Sequence, residues 1–326
     1  MTKKRKYQPS KFFAPVAGVV MAIAACGSAS AQFPDHDITF IVPYSAGGGS
    51  DQQARRLQAG MEEALGVGLR IVYKEGGGGA IGFNELHSAA PDGYSISNVV
   101  VPNIIVTSRG ENVGYKPEDF SYIAMTDQAP GAFVVPKDSK FKTLDELVAY
   151  AKENPGTLTI AGVGSTGQAN YAELVNALGI EATYVPVSGG VGDIIPFLQG
   201  GHVDSALLGS NHAVLHVETV TALGIAGKLP SPALPDVPTV AAAGYDGFDM
   251  NTTWGIMAPP GTPEDIVAKL NEAVCKAVAD PKVQEAQKGG GLTSICMSPE
   301  ESMQFVVGTE TRVDEIQAMV EALPKK

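Results

Sequence analysis

The stretch Ile38 to Asp51, ITFIVPYSAGGGSD, constrains this chain most: an apolar run stops at Pro43, passes three consecutive glycines and enters an amphipathic pattern. Beyond Ser50 the apolar positions Ala54, Leu57, Met61, Ala64 and Leu65 follow the spacing of one buried helical face. A strand, a glycine turn and a helix in that order leave the first helical N–H groups without partners in the ladder, and the helix dipole adds partial positive charge there. Such a turn is a cradle for an anion. The pattern returns at Leu69 to Asn84, LRIVYKEGGGGAIGFN, where another strand runs into Gly76 to Gly79 and a helix start. Two cradles in the first third predict one anionic ligand held between them.

A single glycine run is explained by tight turning alone; two runs placed alike between strand and helix favour binding. Stripping water from a carboxylate costs about several kcal/mol, and each hydrogen bond to a charged group returns about 1.5–3 kcal/mol. Several donors must therefore converge. Asp51, at the first turn of its helix, reads as an acceptor of backbone N–H groups that fixes the loop, since its charge would repel an anion. Gly77, Gly79 and Gly82 match the spacing of the dinucleotide fingerprint, but the acidic residue expected about 20 positions on falls in the turn Pro91-Asp92-Gly93. No Walker lysine follows any glycine run. No cofactor is expected.

The first 31 residues read as a secretory leader: Lys3, Lys4, Arg5, Lys6 and Lys11 open it, Phe12 to Ala25 is apolar, and Ala29-Ser30-Ala31 is a small-residue cleavage site. The alternative is lipoprotein processing at Ile23-Ala24-Ala25-Cys26, with Cys26 acylated. Either places the protein in the periplasm, free or lipid-tethered. Without those five cations, 18 of the 23 basic residues face 35 acidic ones, a net charge of −17. That balance repels nucleic acid and anionic lipid, so an anion could be held only by local dipoles. Cys275 and Cys296 remain, either paired in an oxidising compartment or as two free buried thiols.

Short β-type runs alternate with helical patterns throughout, which is α/β architecture with largely parallel strands. Strands are expected at Tyr94–Val101, Ser121–Met125 and Ala132–Val135, then a helix opened by the capping box Thr143 to Glu146. A new unit follows, with strands at Leu158–Gly162, Ala182–Val187, Ser205–Leu208 and Ala222–Ala226. Its small-residue turns are Gly164 to Gly167 and Ser188 to Gly190. Thr253 to Pro259 returns as a strand, and two helices open at Thr262-Pro263-Glu264-Asp265 and Ser298-Pro299-Glu300-Glu301. The expected domains are 32–135 plus 255–326, and 136–254 inserted between them. Two crossing strands near 135 and 254 form the hinge, and the third turn faces the first two across a cleft.

Catalytic constellations are poor. Gly164-Ser165-Thr166-Gly167 lacks the glycine two residues before serine that a nucleophile elbow requires, because Val163 stands there. His212 and His216 lie four apart without the glutamate of a zinc-protease helix, and read as two surface or satisfied histidines.

Taken together, IVPYSAGGGSD, GGGGAIGFNEL, PDGYSI, AGVGSTGQ, VPVSGGVGD, GGHVDSALLG and WGIMAPPGTPEDIV, in that order, resemble the extracytoplasmic solute-binding proteins of tripartite tricarboxylate transporters, the Bug family. The resemblance covers essentially all of the chain after the leader. It implies a two-domain flytrap fold, no catalysis, a monomer, and a small organic carboxylate handed to membrane permease subunits. It also implies that Tyr44, Ser45, Ala46, Gly47, Gly48, Gly49, Ser50 and Asp51, with Gly78, Gly79, Ala80 and Ile81, grip the carboxylate through backbone amides and ordered waters. Ser165, Thr166 and Gly167 match the opposite wall, and Asn103, Gly189 and Asp204 complete the candidate ligand set. Asp204 is open to a second reading, as an anchor of the adjacent turn. Gln168 stands where the family often has histidine, and Val187-Ser188 where it often has Tyr-Lys. Both departures remove potential positive charge, which argues against citrate and for an aromatic or monocarboxylate ligand. The alternatives are a ligand-sensing subunit for a sensor kinase and a secreted α/β hydrolase.

Overall fold

The computed structural model describes residues 1–2, 33–110, 113–187, 191–227 and 230–323. The expected leader and the processing context of Cys26 lie outside the described residues, as does Gly189. No described helix is long and apolar enough to cross a membrane.

The chain opens with β1 (Ile38–Val42), α1 (Gly49–Leu65) and β2 (Leu69–Tyr73), then a 3-10 turn at Gly77–Gly79, α2 (Ala80–His87), β3 (Ser95–Val101) and α3 (Asn103–Ser108). Strand β4 (Ser121–Pro136) leads to α4 (Leu144–Glu153), β5 (Thr159–Val163), α5 (Gly164–Leu178) and β6 (Thr183–Val187). Next come α6 (Val191–Gln199), β7 (Ser205–Gly209), α7 (Ser210–Leu215) and β8 (Val220–Ile225). The return is β9 (Asn251–Ala258), α8 (Glu264–Val278), α9 (Pro281–Gly289), β10 (Thr293–Ser294) and α10 (Pro299–Ala322).

Two sheets form on these strands. In the first, β2, β1 and β3 run parallel, and β9 and β4 follow antiparallel. In the second, β4 lies between β8 and β7, and β5 and β6 extend it in parallel. Strand β4 therefore belongs to both. Its residues up to Pro130 pair with β9, and from Gly131 onward with β7. The sequence suggested two strands here, Ser121–Met125 and Ala132–Val135, with a break between them. The break is instead the point where one continuous strand changes sheets, and a proline is tolerated there because it sits at the last rung of its ladder.

Helices cover both faces of each sheet. Phe40, Leu57, Met61, Leu270 and Val274 fill the space under α1 and α8, and Phe83, Ile104, Phe120 and Val306 fill the other side of the first sheet. Phe133, Leu147, Ile160 and Leu174 form one core of the second lobe, and Val134, Ile194 and Leu198 the other. Each such side chain contributes about 1.5–3 kcal/mol by leaving water.

Helix starts follow the sequence at α4 and α10, but α5 already begins at Gly164, where a turn through Gly167 was expected, and α8 also departs. Ser298 and Glu301 close both halves of their capping box at α10. At α8 the N-cap is Pro263, and the Thr262 hydroxyl donates back to the Pro259 carbonyl (2.8 Å) instead of capping the helix. Cys275 and Cys296 are joined as a disulfide that ties α8 to the segment before α10. Helix α10 also departs from the expected layout. It begins on the first sheet, where Ser302 Oγ accepts the Met125 N–H (3.1 Å), but its end lies on the second lobe, with Leu323 packed into that lobe's core.

Candidate functional site

The first glycine turn is built around Asp51. Its Oδ2 accepts the Gly47 N–H (2.7 Å), and its Oδ1 accepts from the Tyr73 hydroxyl and from Arg55 Nε (both 2.8 Å). Burial by itself pushes this carboxyl up, but the Gly47 and Tyr73 hydrogen bonds and the Arg55 charge outweigh it and hold Asp51 below the usual carboxylate value. The side chain thus fixes the turn, as its helix position suggested. The first rung of the α1 ladder runs from Gln52 N–H to Gly48 O (3.0 Å), so the N–H groups of Gly49, Ser50 and Asp51 have no intrahelical carbonyl to meet. Ser45 Oγ donates to Glu75 (2.6 Å), tying this turn to the entrance of the second.

The second turn differs from the sequence expectation. Gly76 to Gly79 all adopt φ between 57° and 130°, which only glycine enters readily, and the turn closes on itself. Gly79 N–H and Ile81 N–H donate to Gly76 O (3.0 and 3.4 Å), and Ala80 N–H donates to Gly77 O. Three of the four expected donors in Gly78–Ile81 are therefore engaged within the turn, because a 3-10 turn satisfies its own amides before α2 begins. Ile81 presents its side chain to solvent.

Asn103 joins the two turns. Its Nδ2 donates to the Tyr44 hydroxyl (2.8 Å) and to Gly78 O (2.9 Å). The Tyr44 ring lies against Gly79, 3.1 Å from where a Cβ would stand, and burial raises the Tyr44 phenol so that it stays protonated. Trp254 on β9 packs onto the first turn, its indole 3.2 Å from the position of a Cβ on Gly49. The turns are thus neighbours, clamped between Asn103 and Trp254.

Beyond them is a cavity of about 300 Å³ between the sheets. Neither glycine turn lines it, but Asn103 and Trp254, which touch the turns, do. Thr166 and Gly167 at the start of α5 line the cavity as well. Gln168 is exposed and is not part of the lining, because it points off the α5 face turned to the cavity. Ser165 takes its place in the first turn of α5. Asp204 belongs to its second reading: its Oδ2 accepts the Thr159 N–H (2.9 Å) and hydroxyl (2.7 Å), locking the start of β7 to β5 away from the cavity.

Sequence reasoning missed Trp254, Met250, Leu207, Leu208 and Asn211, all lining the cavity, and it did not single out His212, read as a surface or satisfied histidine, which also lines it. Burial, and then the neighbouring His216, hold the His212 imidazole below its ordinary value, so it is neutral at neutral pH. The one available signal was Trp254, the single tryptophan of the chain, in a strand that returns to the first sheet. Among the described residues no group of three or more His, Cys, Asp or Glu could hold a metal ion.

Two α/β lobes carried on a shared strand, with a cavity between their sheets, have the architecture of a two-lobed solute-binding protein. Residues 53–322 match the model of the tripartite tricarboxylate transporter family receptor, and the chain belongs to that family, which is a receptor family and not an enzyme family. It is similar to MatC from Rhodopseudomonas palustris, solved with bound malate, at 30% identity and TM-score 0.75, covering 87% of this chain and 99% of that one. A second R. palustris protein, solved with adipate, is 25% identical with TM-score 0.78, covering 89% and 98%. A UPF0065 protein from the tcbD-tcbE intergenic region of a Pseudomonas species is 32% identical over 294 residues, 87% of each chain.

Proposed function

We propose that this protein is a periplasmic receptor that encloses a small organic carboxylate between its lobes and delivers it to the membrane permease subunits of a tripartite tricarboxylate-type transporter, without catalysis. The observation that carries the reading is the Asp51-braced turn, whose Gly49, Ser50 and Asp51 N–H groups have no helical acceptor and whose Gly49 packs against Trp254, a residue of the inter-lobe cavity wall. The similar proteins solved with malate and adipate support a carboxylate as the ligand class. In this reading the lobes divide near 135 and 254, a monomer is the working unit, and export follows cleavage of the leader. Bridging water completes the grip at the second turn, three of whose four amides are engaged.

The test is isothermal titration calorimetry on the purified chain with a panel of organic carboxylates, after small molecules released by denaturation have been identified by mass spectrometry. Saturable binding that is lost in Gly49→Val, which drives a side chain into the Trp254 indole, is the expected result. A panel that leaves heat and melting temperature unchanged would sink the reading.

A further inference from the structure

The cavity beyond the glycine turns has a chemistry of its own. Pro102, Val163, Met250 and Trp254 line it with apolar side chains, and the β7 segment Leu207–Leu208, whose side chains are buried in the two cores of the second lobe, closes it. The remaining lining consists of neutral polar groups, with Asn211 and His212 at the β7–α7 corner. No Lys, Arg, Asp or Glu lines it among the described residues.

We infer that the ligand is a monocarboxylate with an apolar body: its single charge faces the first glycine turn, a flat or branched hydrocarbon portion fills the space between Trp254 and Leu207-Leu208, and its far end is uncharged. This rests on the proposed function and deepens it. In the proposed function the carboxylate sits at the Gly49 turn, and since Trp254 touches both that turn and the cavity, the cavity is the space left for the ligand body. A second carboxylate there would lose its water without meeting a cation, and a buried charge left unpaired is strongly disfavoured. The Asn211 amide and the neutral His212 ring can bond a hydroxyl or carbonyl substituent, but they supply no countercharge. The apolar side chains reward a hydrocarbon body by removing it from water, and the Trp254 ring offers an aromatic ligand a stacking surface. This selectivity differs from what the malate- and adipate-bound relatives carry in their sites, since both of those ligands are dicarboxylates.

The experiment is calorimetry on the full mature chain with ligand pairs matched in length: 4-hydroxybenzoate against terephthalate, and hexanoate against adipate. The expected result is that each monocarboxylate binds at least about tenfold more tightly than its dicarboxylate partner. A dicarboxylate that equals or exceeds its partner overturns the inference while leaving carboxylate capture standing. Binding of neither class overturns both. His212→Arg supplies a second measurement that does not depend on the natural ligand: with folding verified by its melting transition, it should narrow or reverse the preference by giving the far carboxylate a partner. An unchanged preference in folded His212→Arg would also count against the inference.

Discussion

At the residue scale, the first glycine turn depends on one carboxylate. Asp51→Asn keeps the size of the side chain but removes the charge that Gly47, Tyr73 and Arg55 all address. Losing charge-assisted bonds of this kind costs about 2 kcal/mol, which urea unfolding would read directly, and ligand affinity should fall with the loosened turn. The pH dependence has a definite sign. The folded-state pKa of Asp51 is depressed, so its contribution is complete above the ordinary value of 3.8 and is lost as pH falls below it. Wild type should therefore lose stability over that acidic range more steeply than Asp51→Asn. A second residue-scale expectation concerns Gly291, which holds φ +75° and meets the Asn211 backbone of the other lobe, 2.8 Å from where its Cβ would be. Gly291→Val adds both backbone strain and a collision between lobes. It should lower the melting temperature and weaken ligand binding, although Gly291 is not part of the cavity lining.

At the scale of elements, α1 and α10 decide how the site is held. Helix α1, which carries the first turn, is anchored to β4 near its sheet crossing by Arg56 to Asp127 (2.8 Å) and by Gln53 to Thr126. Helix α10 reaches across at Arg312, which donates to Glu173 on α5 and to the Asp249 carbonyl. Burial pushes the Glu173 carboxyl up to about 7, against the pull of Arg312. For an acid raised in the folded state, the folded protein holds the proton longer, so stability declines as pH rises from about 4.5 towards 7. Glu173→Gln should flatten that decline, which melting curves at several pH values would reveal. Most helices were legible in the sequence because 3.6-residue spacing and caps are local signals, as at Ser298. Strand β4 was not, since Pro130-Gly131 has the same letters whether a chain turns or passes between sheets.

At the scale of the whole molecule, the glycine turns were readable because each is one contiguous segment. The far wall was not: Asn103, Leu207, Leu208, His212 and Trp254 are brought together only by the sheet order, which no local pattern encodes. The Cys275–Cys296 link closes a loop of 21 residues in the first lobe, and reducing it should remove about 3 kcal/mol. Calorimetric melting with and without reductant measures that loss, and because the bridge lies within one lobe, ligand affinity at low temperature should change little. Helix α10 sets a further condition. Its early turns are seated against β4, while Met319, Ala322 and Leu323 share a groove with Ala172 and Val175 of α5. The two lobes are therefore spanned by a stiff rod as well as by strands that can bend. Any swing that widens the cleft has to drag the rod's tail along α5 or prise it loose.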